Sequence, residues 1–180
     1  MVLIILVVAI LIVVAFLIYN SLVKLKFKVE EAFSTMDVYL KKRWDLIPNL
    51  VSTVKGYAKH ERETLEEIIL LRNSSYDKLT PEGKMDTAAN VTSAIEKVMI
   101  LAESYPDLKA SDNFKNLANE LSLVEDEIAN ARKYYNATVR MFNNKVEMFP
   151  SNIVARLLHY QKKTMFEIKA AERDNIKIEE

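Results

Sequence analysis

From Met1 to Ile18 the chain is unbroken apolar sequence, MVLIILVVAILIVVAFLI, and Leu22-Val23 extend it beyond Tyr19, Asn20 and Ser21. A helix of about 20 residues at ~1.5 Å rise covers the ~30 Å hydrocarbon core of a bilayer. A helix is required there, because backbone amides in lipid have no water to bond with. The core helix of a soluble protein would show a polar stripe. A cleaved signal peptide wants a positive leading region and a small-residue cleavage site. This segment has no charged residue ahead of it and Tyr19-Asn20-Ser21 behind, so residues 1–23 are expected to be a retained transmembrane helix.

After residue 23 the pattern changes to apolar positions three and four apart, with no sustained alternation of period two. Predicted helix A carries Leu22, Leu25, Val29, Phe33, Met36 and Leu40 on one face and continues from the span. Asp45 is placed to cap helix B, since a carboxylate accepts bonds from first-turn amides. Pro48 then falls in the first turn, where a missing N–H matters little. Helix B runs over about 47–74 with Leu50, Val54, Tyr57, Leu65, Ile68 and Leu71 inward. Breakers at Asn73-Ser74-Ser75 and Thr80-Pro81-Glu82-Gly83 lead to helix C, from Pro81 to about Ser104, with Met85, Ala88, Val91, Ile95, Val98 and Ala102 inward. Tyr105-Pro106-Asp107 reads as a turn. Helix D follows, with an inward seam of Phe114, Leu117, Leu121, Val124, Ile128, Ala131, Tyr135, Thr138, Phe142, Val146 and Phe149, and Pro150 stops it. A short amphipathic piece over 151–158 contains Ile153, Val154, Leu157 and Leu158.

The expected fold is all-α: an N-terminal transmembrane helix, then an antiparallel up-down four-helix bundle with a long last helix. The domains are 1–23 as the span, 24–158 as the bundle and 159–180 as a loosely ordered charged tail. Lys24, Lys26 and Lys28 follow the span directly, with Lys41, Lys42 and Arg43 farther on. The positive-inside rule then places the N-terminus outside and the bundle in the cytoplasm, at the cell membrane, with Tyr19 as interfacial anchor.

Composition narrows the chemistry. Lys and Arg number 25 against 25 Asp and Glu, so no general affinity for nucleic acid is expected. The absence of Cys removes disulfides, thiol nucleophiles and cysteine-based zinc sites. Two glycines, Gly56 and Gly83, cannot build a dinucleotide or Walker loop. His60-Glu61-Arg62-Glu63-Thr64 lacks the second histidine of a zinc-protease helix. Neither Tyr57 nor Arg156 supplies the glutamate that a di-iron bundle needs three residues before each histidine. The acidic groups Glu30-Glu31, Glu66-Glu67 and Glu125-Asp126-Glu127 read as solvated helix faces. Neither an enzymatic site nor a cofactor is expected.

Three stretches are unusual for a generic bundle. They are Lys41-Lys42-Arg43-Trp44-Asp45-Leu46-Ile47-Pro48-Asn49-Leu50-Val51 leading to Val54-Lys55-Gly56-Tyr57-Ala58-Lys59-His60-Glu61, Tyr105-Pro106-Asp107-Leu108-Lys109-Ala110, and Ala131-Arg132-Lys133-Tyr134-Tyr135-Asn136 leading to Phe149-Pro150-Ser151-Asn152. With the N-terminal span, the combination resembles the LemA family of prokaryotic membrane proteins over residues 1–152, and more loosely beyond. The resemblance implies a single-pass membrane protein with a helical-bundle domain and no established enzymatic activity. A related group sits in magnetosome membranes.

Within these stretches, Arg43 and Asp45 are expected to fix the A–B turn through charge-assisted bonds, beside Pro48 and Asn49. The Lys41-Lys42-Arg43 patch is alternatively a docking site for a partner. Gly56 is expected to permit close helix–helix approach, and Tyr105 and Pro106 to form the turn after helix C. Tyr135 and Asn136 are expected to pack a ring and satisfy polar groups inside the bundle, with Pro150 ending helix D. Function is then expected to be that of a self-assembling, membrane-anchored scaffold that organises or remodels the bilayer. The rival reading is an adaptor or sensor that presents 151–158 to another protein.

Overall fold

The computed structural model describes residues 1–58, 61, 65–66, 68–69 and 76–166, and among these the chain is all-helical, without strands. Its elements are α1 (Val2–Tyr57), a 3-10 turn (Tyr76–Lys78), α2 (Pro81–Glu103), α3 (Pro106–Ala110), α4 (Asp112–Glu147) and α5 (Ser151–Leu157). The predicted span, helix A and the start of helix B are thus one helix.

That continuity corrects the expected break near residues 41–48. Pro48 sits inside α1, where it denies the Trp44 carbonyl an amide partner at a cost of about 3 kcal/mol against Ala. Packing on both sides offsets this. Trp44, Leu46, Ile47, Leu50, Val51 and Val54 are all buried, and fully burying one such aliphatic side chain contributes roughly 1.5–3 kcal/mol. Asp45 caps nothing: it is exposed and accepts two bonds from Lys41 Nζ, one turn earlier, at 2.6 and 2.8 Å. The reversal falls after Tyr57. By Tyr76 the chain has come back far enough for that hydroxyl to donate to Asp37 Oδ1 at 2.7 Å.

The chain forms two compact units, residues 1–35 with 131–165 and residues 36–130 with 166–180, and α1 and α4 contribute to both. In the second unit α1 and α2 run parallel, since Lys84 meets Asp37 while Ala88 and Thr92 meet Arg43. The predicted inward residues of α2, Met85, Ala88, Val91, Ile95, Val98 and Ala102, are all buried, as are Leu65 and Ile68. Leu71 lies outside the described residues. Thr80 caps α2, its side chain accepting from Gly83 N at 3.1 Å, and Pro81 fills the first helical position. Where the sequence suggested only a turn, α3 inserts a fully buried Leu108. Ser111 then accepts from Phe114 N at the start of α4.

In the first unit α1 and α4 run antiparallel. Phe33 meets Tyr135 edge-on at 5.8 Å, whereas Ile18 and Leu22 pack with Val146 of α4 and with Ala155 and Val154 of α5. The link between α4 and α5 is compact, with Ser151 Oγ donating to the Met148 carbonyl. Tyr160 N bonds Ala155 O while His159 adopts φ 56°, a left-handed C-terminal cap made without glycine. The stretch after α5 is tied to α4: Asn143 both donates to Lys163 O and accepts from Lys163 N. Residues 167–180 lie outside the described residues.

Two seam assignments differ. Tyr57 is 46% exposed at the end of α1, and Phe149 is 78% exposed beyond the end of α4. In both cases the three-four spacing was carried past the point where a partner helix covers it. Gly56 is also corrected, since a Cβ built there meets nothing within 4 Å, so among the described residues no helix approaches it closely. Gly56→Ala is therefore expected to raise unfolding free energy by about 0.5–1 kcal/mol, read from urea unfolding followed by helical circular dichroism.

Candidate functional site

The seam of α1 through the second unit reads Met36, Leu40, Arg43, Ile47, Leu50, Val54, and each of these is at most 3% exposed. One of the six is a guanidinium. At 1% exposure Arg43 cannot reach water, so α2 and α4 must satisfy it. Nη1 donates to Glu125 Oε1 at 2.6 Å and to Thr92 Oγ1 at 2.8 Å, and Nη2 donates to the Ala88 carbonyl at 2.9 Å. Nε is buried without a partner. Thr92 passes its own hydrogen bond to the same Ala88 carbonyl at 3.2 Å. Three helices are thereby fixed to one planar, permanently charged group, whose fork directs bonds as an ammonium cannot.

A second polar cluster lies on the same stretch of α1. Asp37 accepts from Tyr76 Oη at 2.7 Å and from Lys84 Nζ at 2.6 Å. Lys84 lies 4.8 Å from the centre of the Tyr76 ring, and Trp44 packs on that ring at 5.4 Å. Burial, and then the adjacent Asp37 carboxylate, push the Tyr76 phenol well above its ordinary range. It therefore remains a donor at neutral pH.

The expected site residues do not converge. Arg43 is central to the second unit, but its partners are Ala88, Thr92 and Glu125 rather than Asp45, and it fixes no A–B turn. Asn49 is exposed and Pro48 half-buried, both within α1. Tyr105 donates to Glu61 Oε1 at 3.1 Å, and Pro106 opens α3. In the first unit Tyr135 is buried as expected, its hydroxyl donating to Thr164 O at 2.9 Å. Asn136 is half-buried there, and Pro150 separates α4 from α5. Glu125, Thr92, Asp37, Tyr76 and Lys84 went unrecognised. A signal for Glu125 did exist: Arg43 occupies a seam position between Leu40 and Ile47, and a buried guanidinium demands an acid.

Chemically, these groups hold helices together. Arg43 is closed to any substrate, and among the described residues no group of three or more His, Cys, Asp or Glu side chains is placed to hold a metal ion. His60 lies outside the described residues. Arg43→Ala is expected to lower unfolding free energy by about 3 kcal/mol or more, because the Glu125 charge and the Ala88 and Thr92 oxygens lose their shared donor. Glu125→Gln is expected to cost only about 1 kcal/mol, since its amide oxygen still accepts and Glu125 is 36% exposed. Urea unfolding of both variants checks the pair, and an Arg43→Ala value within ~0.5 kcal/mol of the parent contradicts the assignment.

Comparison with known proteins adds the lineage. Protein LemA of Metamycoplasma hominis is 29% identical over 161 residues, covering 87% of this chain and 72% of that protein. Magnetosome protein MamQ of Magnetospirillum gryphiswaldense is 22% identical over 179 residues, and MamQ 1 of Paramagnetospirillum magneticum 24% over 181. In both of these the match spans 85% of this chain and 66% of the relative. The family model for LemA matches residues 32–179, which include every helix beyond the apolar segment, and the chain belongs to the LemA family.

Proposed function

We propose that the protein is a single-pass, membrane-anchored helical scaffold that assembles with itself and organises the bilayer, with no catalytic role. The observation that carries this reading is the first third of α1. It is long and apolar enough to cross a membrane, yet only 6% of its most apolar 18-residue window is buried. A soluble core helix would be mostly covered. A cleaved leader is also a poor fit, because Ile18 and Leu22 are core residues packed with Ala155, and cutting there would open the unit they stabilise. The MamQ relatives are magnetosome proteins by name, which supports a membrane-associated role.

Self-assembly draws support from large apolar side chains exposed outside the apolar segment, among them Phe27, Val38, Ile100 and Leu123 at 61–71%. Apolar groups left in water favour covering by a partner, and a second copy is the partner always at hand. The lysines after the span support a cytoplasmic position for the helical body, by the positive-inside rule. In this reading residues 1–23 are the anchor and the helical body follows, but the described part of the expected loose tail, 159–166, is held on α4 through Tyr135 and Asn143.

Two measurements test this reading. The full chain is expected to stay with membranes through an alkaline carbonate wash, and deletion of residues 2–16 to release it. In mild detergent, light scattering is expected to give a protein mass above that of one 20.7 kDa chain. A strictly monomeric, folded full chain across micromolar concentrations overturns the assembly.

A further inference from the structure

The unit that holds the apolar segment has a groove that the anchoring role leaves unused. Its volume is about 640 Å³, within the range of small-molecule sites. One wall is α1 from Val14 through Ile18 and Ser21 to Lys24, a rise of ~15 Å along the helix. The other is built from the end of α4 and the link to α5, with Met141, Lys145, Met148 and Phe149. The lining changes character along its length. Its Val14 end belongs to the segment with no charges, whereas Lys24 is the first charged residue of the chain. Neither Lys24 nor Lys145 has an ion-pair partner among the described residues, although Lys26, Lys42, Lys84 and Lys162 all do.

α5 lies at the same level, because Ala155 and Val154 pack on Ile18 and Leu22. Its opposite side and the link before it are apolar and uncovered: Met148 and Phe149 of the link and Ile153 and Leu157 of α5 are 60–78% exposed, and Ile153 and Leu157 are one turn apart on one face. Charge follows the same division. Residues 1–35 and 131–165 carry ten basic against three acidic side chains, a net +7, and the rest of the chain carries 15 against 22, a net −7. Between 131 and 165 the sole acidic residue is Glu147, against seven basic ones.

From this we infer that the link and α5, residues 148–158, form a second membrane contact, and that the adjoining groove holds an anionic phospholipid of the same leaflet. Acyl chain lies along Val14, Ile18, Met148 and Phe149, and the phosphate sits between the Lys24 and Lys145 ammonium groups. The inference rests on the anchoring role proposed above. Three observations fix the occupant as lipid rather than protein. The groove is continuous with the apolar span, its polar end is cationic, and the exposed apolar face of α5 is the reverse of the face that packs on residues at the span's own end. An interfacial element of this kind gains from apolar insertion and from attraction to anionic headgroups together.

The chain has no native Cys, so single-cysteine variants Ile12→Cys, Phe149→Cys and Leu157→Cys take a bimane label cleanly. The full chain, reconstituted in phosphatidylcholine vesicles containing phosphatidylglycerol, is exposed to doxyl-labelled lipid and, separately, to aqueous iodide. Labels at 149 and 157 are expected to be quenched by doxyl lipid and shielded from iodide, as the label at 12 is. If the label at 12 responds but those at 149 and 157 meet iodide freely, the anchor stands and the second contact is refuted, leaving that face to a protein partner. If the label at 12 fails to respond to doxyl lipid, the anchor itself fails and the inference with it. Lipid retained by the purified full chain from an equimolar mixture is then counted by native mass spectrometry. Phosphatidylglycerol is expected to exceed phosphatidylcholine, with Lys24→Gln and Lys145→Gln each reducing that preference by about fivefold. Equal retention of the two lipids, or an unchanged preference in both variants, overturns the site.

Discussion

The structure depends on one helix meeting two solvents. In its first third α1 presents apolar side chains on every face and almost none of them touches protein. From Ile18 onward it keeps the same backbone and buries a single stripe, Leu22, Val29, Met36, Leu40, Ile47 and Leu50, with lysines and glutamates between. Nothing in helix geometry changes across that transition. What changes is the free energy of exposing an apolar group, which is unfavourable in water and near zero in lipid. The anchor needs no joint with the helical body, because it is an extension of the body's first core helix.

Continuity at that length explains why the second unit is stitched with charge. A stripe of aliphatic residues packs tolerably in more than one rotation or sliding register, since hydrophobic attraction is not directional. The Arg43 fork removes that freedom. Its bonds to Glu125, Thr92 and the Ala88 carbonyl have fixed directions and lengths, and a slide of one turn would leave a guanidinium buried among aliphatic side chains. Asp37 repeats the device less than two turns earlier, with Tyr76 and Lys84. Buried ion pairs are poor sources of net stability, but they penalise wrong registers heavily.

How much of this was legible depended on whether a signal was local. The seams of α2 and of most of α4 were readable because each inward residue repeats at three or four, and burial follows that repeat from Met85 to Ala102 and from Phe114 to Phe142. The apolar helix was readable from composition alone. Pro48 misled because local propensity, a capping Asp45 followed three residues later by proline, agrees perfectly with a helix start. Only the tertiary burial of Trp44, Ile47 and Leu50 overrides it. Gly56 misled in the opposite sense: a helical glycine suggests close approach, but this one lies in the exposed last turn of α1, where no described residue comes within 4 Å of its Cβ position. Glu125 looked like one of three solvated acids because its partner lies 82 positions away in sequence, and no pattern along one helix encodes that.

Apolar residues near the end of α4 raise the same question with a different answer. Phe149 fits the inward seam by spacing yet stands exposed, and Leu157 fits an amphipathic turn yet is 77% exposed on it. In a soluble protein such residues would be misplaced core. Beside Ile18 and Leu22 they stand next to the chain's own uncharged segment, where the second membrane contact proposed above would cover them. Periodicity distinguishes a covered face from an open one, but it does not say what does the covering. For residues 148–158 that information comes from the neighbours: an apolar segment on one side, and around it an excess of seven positive charges in a chain whose total is zero. An aqueous surface gives no reason for charge to separate in that way, whereas an anionic headgroup layer selects for it.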